Sequence, residues 1–218
     1  MVPRRRTKSA AVGKVTGPDF ALEIELGAQL RRIAGVDEVG RGPIAGPVVC
    51  AAVVLDPTNI PIGLNDSKKL TEKVRERLFA EICAGHDVAI AVGSVARIDA
   101  TDIRAATLDT MRRAVCGLAE HPAHVLVDGI DVPPGLPCPG TAVTGGDGRS
   151  VSIAAASIVA KVVRDRMMTL AGAEHPGWGF EKHKGYGTAV HMEALRRLGA
   201  SPLHRRSFAP VARVIDQR

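Results

Sequence analysis

The chain has 218 residues, is 45% hydrophobic and carries a formal net charge of +6. This length suits one main domain with one substantial core and excludes two full domains, while the basic charge favours polyanionic partners. No stretch has the ~18 uninterrupted apolar residues of a membrane span and no apolar segment follows the basic N-terminus as in a secretory signal, so we expect a cytoplasmic protein without membrane contact.

The N-terminal segment is predicted to be a basic, flexible tail over residues 1–28. Its basic residues precede the first acidic residue, Asp19, and a terminal run of like charge is typical of a solvated tail. The residues of this run are Arg4, Arg5, Arg6, Lys8 and Lys14.

Strands and helices then alternate, which indicates an α/β layered fold. In chain order the hydrophobic patterns predict strands at 33–37 and 48–55, a helix at 74–85, a strand at 88–95, a helix at 100–118, strands at 124–127 and 141–144, and a helix at 153–167. The short turn between the first two strands implies at least one antiparallel pair. The last helix carries Lys161, Arg164 and Asp165 on its polar face.

The composition changes after Gly172, where histidine, glycine and aromatic residues become frequent. A short helix is predicted at 189–198, followed by a basic terminal stretch. We therefore separate a core at 29–170 from a C-terminal part at 171–218.

Four acidic residues share one placement, because each lies at or beside the end of a predicted strand and next to glycine. They are Asp37, Glu38, Asp128 and Asp147. Ligand sites in α/β sheets gather at strand ends, and four carboxylates brought together would repel one another unless cations intervened. Carboxylate oxygens suit Mg²⁺ or Mn²⁺, and two such ions about 3.5–4 Å apart can activate a water and stabilise a departing 3′ oxygen. The alternative is that each acid is an ordinary turn residue.

Asp37 and Glu38 raise a geometric question, because adjacent residues of a regular strand face opposite sides. They can share a site only if the strand ends or bulges there. The following glycines, Gly40 and Gly42, favour such a distortion, and the turn that contains Arg41 brings backbone N–H groups close to an anionic ligand.

Five motifs of the chain resemble, in this order, those of the bacterial type 2 ribonuclease H family. They are GVDEVGRGP at 35–43, NDSKKL at 65–70, VDG at 127–129, AASIVAK at 155–161 and HKGYGT at 183–188. The resemblance covers about residues 32–210, and its first motif is highly specific. It implies an RNase H-like layered fold with a mixed central sheet flanked by helices, plus a C-terminal helical extension that contributes substrate contacts.

The resemblance also implies an activity and a partner. The expected activity is endonucleolytic hydrolysis of the RNA strand of RNA–DNA hybrids, and incision at single ribonucleotides embedded in duplex DNA. Two metal ions, Mn²⁺ or Mg²⁺, would be used, and the products would carry 5′-phosphate and 3′-hydroxyl ends. We expect a monomer. The alternatives are another two-metal nuclease or resolvase on the same core, which would cut all-DNA substrates, and a non-catalytic nucleic-acid-binding module.

Carried over position by position, the family's catalytic and metal-binding acids fall on Asp37, Glu38 and Asp128, with the fourth on Asp147. The element that reads the ribose 2′-hydroxyl falls on Gly40, Arg41 and Gly42, and the tyrosine that packs against the sugar falls on Tyr186. The chain departs from the family near Asp147, where Gly145 replaces a frequent lysine. Asp165 is the competing candidate for the fourth acid, although it could simply pair with Lys161 or Arg164.

The remaining predicted contacts are basic or hydroxyl residues. Ser67 and Lys68 are expected to contact phosphate, although Ser67 could instead cap a helix. A basic group at the C-terminal end is expected to line the backbone path of the duplex, with a plain exposed surface as the alternative. Its members are His183, Lys184, His204, Arg205 and Arg206.

Overall fold

The structure, a computed structural model, describes residues 17–217, so the basic run that ends at Lys14 lies outside the described residues. A five-stranded sheet forms the centre, with the strand order β3-β2-β1-β4-β5. The antiparallel pairs are β1 with β2 and β2 with β3, whereas β4 is parallel to both β1 and β5. The predicted mixed sheet is confirmed. The strands are β1 (Ile33–Val39), β2 (Val48–Val54), β3 (Asp87–Gly93), β4 (His124–Asp128) and β5 (Gly140–Val143).

Helices cover both faces of this sheet, because the alternate residues of β2 enter two different cores. Val48, Cys50 and Ala52 pack with the helices α3 and α4, while Val49 and its alternate neighbours pack with α2 and α5. The helices are α1 (Ala21–Glu25), α2 (Glu72–Gly85), α3 (Val95–Ala100), α4 (Ile103–Cys116), α5 (Val151–Glu174), α6 (Phe180–His183), α7 (Ala189–Leu198) and α8 (Ala209–Asp216). Within residues 17–217, none of these helices has the length and apolar character needed to cross a membrane.

The helix α5 lies directly against the central strand β1. A Cβ atom at Gly35 would come within 2.2 Å of the Ser152 carbonyl carbon, so only glycine allows this approach. The close packing places the first turn of α5 beside Gly35 and places Ser157, farther along the helix, beside Asp37. The helix also runs past the predicted boundary at residues 170/171, because it continues to pack against α6 beyond Gly172.

The predicted helix at 100–118 is divided by a capping residue. The Asp102 carboxylate accepts a hydrogen bond from Ala105 N at 2.8 Å and begins α4, whereas α3 starts after Ser94 and ends at Ala100. A side-chain oxygen that caps a helix satisfies one of its unpaired N–H groups, which favours a new helix start at that position. The predicted strand at 88–95 ends at Gly93 because Ser94 caps α3.

The predicted flexible tail is wrong for residues 20–28, which pack against the core. Phe20, Leu22 and Leu26 contact a cluster that includes Ile153. The Glu23 carboxylate is fully buried and accepts hydrogen bonds from Ser150 Oγ at 2.5 Å and Ser152 N at 3.0 Å. A carboxylate at a helix N-terminus satisfies free N–H groups and complements the positive end of the helix dipole, and this interaction ties the segment to α5.

The C-terminal helices pack over the turn between β1 and β2. Ile44 of this turn is buried with Leu195 of α7 and Val211 of α8. Ala45 is buried with Met168 of α5 and Phe180 of α6. The predicted helical extension is therefore present, and it covers the segment that follows Asp37 and Glu38.

Candidate active site

Three of the four predicted carboxylates meet where the parallel pairing between β1 and β4 ends. The pairing of these strands stops at Val36 and Val127, and the acidic residues follow immediately. One carboxylate oxygen from each of Asp37, Glu38 and Asp128 lies within 4.8 Å of the other two. Such a set of oxygen ligands suits a divalent cation.

The strand β1 reaches this arrangement without a break, so the expected strand end or bulge at Asp37 is wrong. The β1–β2 ladder continues regularly to the pair Val39–Val49. Asp37 lies on the α5 side, where Ser157 hydrogen bonds to it, and Glu38 lines a cavity of about 300 Å³ on the α4 side. Because β4 no longer covers β1 beyond Val36, both side chains reach the open edge from opposite faces.

The electrostatics of the carboxylate group oppose its full ionisation. Burial raises the pKa of Asp37 well above its usual range, and the negative charges of Glu38 and Asp128 raise it further. Burial also raises the pKa of Glu38, although the nearby Arg41 guanidinium, 3.3 Å from Glu38 Oε1, lowers it in part. A bound cation would relieve both desolvation and repulsion. The donor set therefore fits Mg²⁺ or Mn²⁺.

Asp147 lies beside this group rather than within it. Gly146 N donates a hydrogen bond to Asp128 Oδ1 at 2.6 Å, which places the short 3₁₀ turn Gly146–Gly148 next to the end of β4. Burial raises the pKa of Asp147, and so do the charges of Asp66 and Asp128. Asp66, which was not singled out in the sequence, also hydrogen bonds to Asp147.

The competing candidate for the fourth acid has a different environment. Asp165 forms an ion pair with Lys161 at 2.8 Å and lines a groove with Glu72 and Lys184. The geometry therefore favours Asp147 over Asp165.

The predicted ribose reader is a short loop at the end of β1, which we call the Gly40–Gly42 loop (Gly40, Arg41 and Gly42); Gly40 is buried, and Arg41 and Gly42 are exposed. Gly40 has a φ of 103°, a conformation that favours glycine. A Cβ atom at Gly42 would lie 4.0 Å from Tyr186 Cε1, so the loop and the tyrosine are neighbours. Tyr186 is 43% exposed. The loop therefore joins the tyrosine, which lies next to Gly42, to the carboxylate group, since Arg41 pairs with Glu38.

Ser67 and Lys68 have separate environments. Asp66, not Ser67, caps their 3₁₀ turn, since its Oδ1 accepts from Lys68 N at 2.9 Å. Ser67 is buried, and its hydroxyl lies 2.9 Å from the hydroxyl of Ser157, the residue that hydrogen bonds to Asp37. Lys68 is exposed and lowers the pKa of Asp147. Ser157 was missed as a site residue, although it lies within a motif that carried the resemblance.

The C-terminal basic group does not form the expected surface. Lys184 Nζ donates to Thr169 Oγ1 and to the Glu181 carbonyl, both at 2.7 Å. His204 and Arg205 are 1% and 0% exposed. The exposed basic surface is therefore wrong for these two residues, because the turn between β1 and β2 covers them.

A histidine pair lies beneath Tyr186. Ser201 N donates to His204 Nδ1, so the proton of His204 is on Nε2, which donates to His191 Nε2 at 3.0 Å. The other ring nitrogen of His191 then donates to the Tyr186 carbonyl at 2.9 Å. Burial lowers the pKa of each histidine to about 4, so both are neutral near pH 7.

Two buried arginines hold the backbone around the Gly40–Gly42 loop. Arg205 donates to the carbonyls of Gly40, Arg41 and Gly46. Arg164 donates to the carbonyls of Ala45, Pro47 and Lys184. The prediction placed Arg164 on a polar helix face, which is wrong because the turn between β1 and β2 folds over it. No local pattern in the sequence distinguishes these arginines from exposed ones.

The sequence matches a known protein family along most of its length. The family model for ribonuclease HII matches residues 34–211. A ribonuclease HII from Rhizobium leguminosarum bv. trifolii is 59% identical over 200 residues, which cover 91% of this chain and 87% of the relative. A ribonuclease HII from Jannaschia sp. is 57% identical over 199 residues, covering 91% and 98%.

Solved structures agree. The crystal structure of ribonuclease H2 from Pyrococcus horikoshii superposes with a TM-score of 0.73 at 28% identity, covering 85% of this chain and 98% of that one. The structure of the PCNA:RNase HII complex from Archaeoglobus fulgidus gives a TM-score of 0.69 at 26% identity, with 81% and 95% covered. The family model and the two relatives each span most of the chain, and the chain belongs to the ribonuclease HII family.

Proposed function

We propose that this chain hydrolyses the RNA strand of RNA–DNA hybrids and incises duplex DNA at single embedded ribonucleotides, leaving 5′-phosphate and 3′-hydroxyl ends. As a member of its family, the chain is a metal-dependent endoribonuclease. The observation that carries the finer proposal is the meeting of three carboxylates within 4.8 Å, beside a loop that can read a sugar.

The acidic residues would hold the divalent ions. Asp37, Glu38 and Asp128 form the main ligand set, and Asp147 is proposed as the fourth acid because it lies beside Asp128. When bound here, two Mg²⁺ or Mn²⁺ ions supply activation of the attacking water and stabilisation of the departing 3′ oxygen. The protein residues orient this set: Ser157 hydrogen bonds to Asp37, and Gly146 N holds Asp128.

Ribose recognition is assigned to the Gly40–Gly42 loop and Tyr186. The 2′-hydroxyl is the group that distinguishes RNA from DNA, and the glycines on both sides of Arg41 let the backbone approach it. The exposed ring of Tyr186 lies next to Gly42, where it can pack against the sugar beside the scissile bond.

Phosphate contacts are assigned to the exposed basic residues near the carboxylates, Arg41 and Lys68. Ser67 acts through Ser157, to which it is hydrogen bonded, rather than on the substrate. Lys184 contributes through its backbone, because Arg164 binds its carbonyl and its ammonium is bound to Thr169.

We also propose that the protein acts in the cytoplasm as a monomer. The membership in a family of enzymes that act on nucleic acid supports the compartment. Light scattering tests the oligomeric state, with an expected mass near the chain's 22.9 kDa.

The decisive experiment is cleavage of an end-labelled DNA duplex that contains one ribonucleotide, with Mg²⁺ and with EDTA. We expect one cut at the ribonucleotide with Mg²⁺ and none with EDTA, as well as cleavage of a long RNA–DNA hybrid. The matched all-DNA duplex serves as the control and should remain intact. Cutting of the all-DNA duplex would indicate another nuclease or a resolvase, and binding without cutting would indicate a non-catalytic module.

A further inference from the structure

We infer that Arg205 is a positioning residue that fixes the outward direction of two backbone amides in the Gly40–Gly42 loop, and with it the recognition of ribose. The inference deepens the proposed function and rests on it. It concerns a residue that is itself buried and touches no substrate.

The Arg205 guanidinium binds three backbone carbonyls. Nε donates to the Gly46 carbonyl and one terminal nitrogen to the Arg41 carbonyl, each at 2.9 Å, and the other terminal nitrogen donates to the Gly40 carbonyl at 2.5 Å. Between residues 17 and 217, no carboxylate lies within ion-pair distance of this guanidinium. The ring of Phe208 packs 5.0 Å from its central carbon. Because the guanidinium is planar and its donors point in fixed directions, the three carbonyls are held in fixed orientations.

The contacts of Arg205 also determine where the N–H groups of Arg41 and Gly42 point. In a trans peptide the carbonyl and the N–H point in opposite directions. The Gly40 carbonyl points toward Arg205, so the N–H of Arg41 points away from it. The Arg41 carbonyl does the same for the N–H of Gly42. Both residues are exposed, and no residue in the described range 17–217 accepts a hydrogen bond from either amide. Two adjacent donors are therefore left free beside Tyr186.

Arg205 and its neighbour Arg164 bind different carbonyls. Arg164 binds the carbonyls of Ala45, Pro47 and Lys184, which lie outside the Gly40–Gly42 loop. It supports the loop from below, since a Cβ atom at Gly40 would come within 2.2 Å of its Nε. Among residues 17–217, Arg205 alone donates to the carbonyls of the two peptides whose amides face outward, so the orientation of these donors is assigned to it.

The test measures ribose discrimination in binding, apart from catalysis. In an Asp37→Asn background with Mg²⁺, dissociation constants are measured for two duplexes that differ only by one ribonucleotide. The discrimination ratio is the constant for all-DNA divided by the constant for the ribonucleotide duplex. We expect Arg205→Met to lower this ratio about tenfold, because the loop amides lose their fixed direction. Affinity for the all-DNA duplex should change by less than about twofold, since the phosphate contacts remain.

Two controls distinguish positioning from general destabilisation. Leu78→Ala removes a fully buried side chain from α2, in the core on the far side of β2 from α4, and it should lower the melting temperature while leaving the ratio unchanged. Arg205→Lys retains the charge but lacks the planar fork, so its ratio should stay close to that of Arg205→Met. All binding is measured below the melting transition of each variant. If Arg205→Met does not fold, Arg205→Gln replaces it with the same expected loss.

The outcomes are distinct. A parental ratio well above one, with an unchanged ratio in the Arg205 variants, would overturn the inference and leave the proposed function standing. Full restoration by Arg205→Lys would also overturn it, because charge rather than geometry would then be sufficient. A parental ratio of one would overturn the proposed recognition of ribose itself, and the inference with it.

Discussion

The carboxylate group beside the end of β1 is negatively charged, and the arginine pair beneath the Gly40–Gly42 loop is positively charged. The two sets differ in whether the protein itself supplies partners for their charge. Burial raises the pKa of Asp37 and lowers that of Arg205, so it favours the neutral form of each of these two groups. Each arginine donates three hydrogen bonds to backbone carbonyls, whereas Asp37 accepts from Ser157 and Glu38 N while facing two further acids. The fold compensates the arginines itself and leaves the carboxylates for a cation, so a perturbed pKa marks function only where partners are missing.

The largest expected effect is on catalysis. Asp37→Asn and Asp128→Asn should each lower cleavage of the ribonucleotide duplex by at least about a thousandfold, because each loses a ligand of the proposed ions. In EDTA the melting temperature of Asp37→Asn should rise, since the substitution removes a buried charge that Glu38 and Asp128 repel. Asp165→Asn, the matched control, should keep near-parental cleavage. Full activity of Asp37→Asn with Mg²⁺ would contradict the assignment.

The arginine side of the comparison predicts the opposite change in stability. Arg164→Met should lower the free energy of unfolding by about 3–5 kcal/mol, because three buried carbonyls lose their donor. Urea denaturation measures this loss. Arg166→Met is the control on the same helix; Arg166 is exposed and pairs with Glu76, and its loss should cost less than about 1 kcal/mol. A comparable effect of both substitutions would show that the carbonyl contacts contribute little.

The histidine pair is a third buried titratable group, and its burial keeps both rings neutral near pH 7. The folded pKa of His191 and His204 is about 4, below the usual 6.5, so the unfolded state binds more protons between these values. Their contribution to stability should therefore fall as the pH drops from about 6.5 through 4, by up to roughly 3 kcal/mol for each histidine.

Thermal denaturation of parent and His204→Asn across this pH range measures the effect. The variant should lose less stability than the parent on acidification. His121→Asn, at an exposed position, should match the parent at every pH. Identical pH profiles for the parent and His204→Asn would contradict the assigned neutral pair.

Metal binding should give the smallest change in stability and should distinguish the carboxylates from the arginines. Mg²⁺ at about 100 times its dissociation constant should stabilise the parent by about 3 kcal/mol, which raises the melting temperature by roughly 5–10 °C. Asp128→Asn should lose most of this shift and Arg164→Met should retain it. Equal shifts in all three proteins would place the metal away from the carboxylates.

The sequence predicts the carboxylates of the site better than the buried arginines that support the neighbouring loop. Asp37, Glu38 and Asp128 were recognisable because strand ends next to glycine are visible locally, and their meeting follows from the parallel pairing of β1 and β4. Arg164 and Arg205 were not, because their partners are carbonyls of a turn about 120–165 residues earlier in the chain. Local patterns register the charge of an arginine, and only the tertiary fold shows what compensates it.

The contact between Arg205 and the Gly40 carbonyl joins positions 165 residues apart. Closing so long a segment has a high entropic cost, and contacts of this separation form slowly during folding. During synthesis the carboxylate pair of β1 leaves the ribosome long before Arg205, the side chain that we infer orders the neighbouring loop. On the proposed function, a growing chain therefore presents its acidic residues before the amides that would distinguish ribose from deoxyribose are held in place.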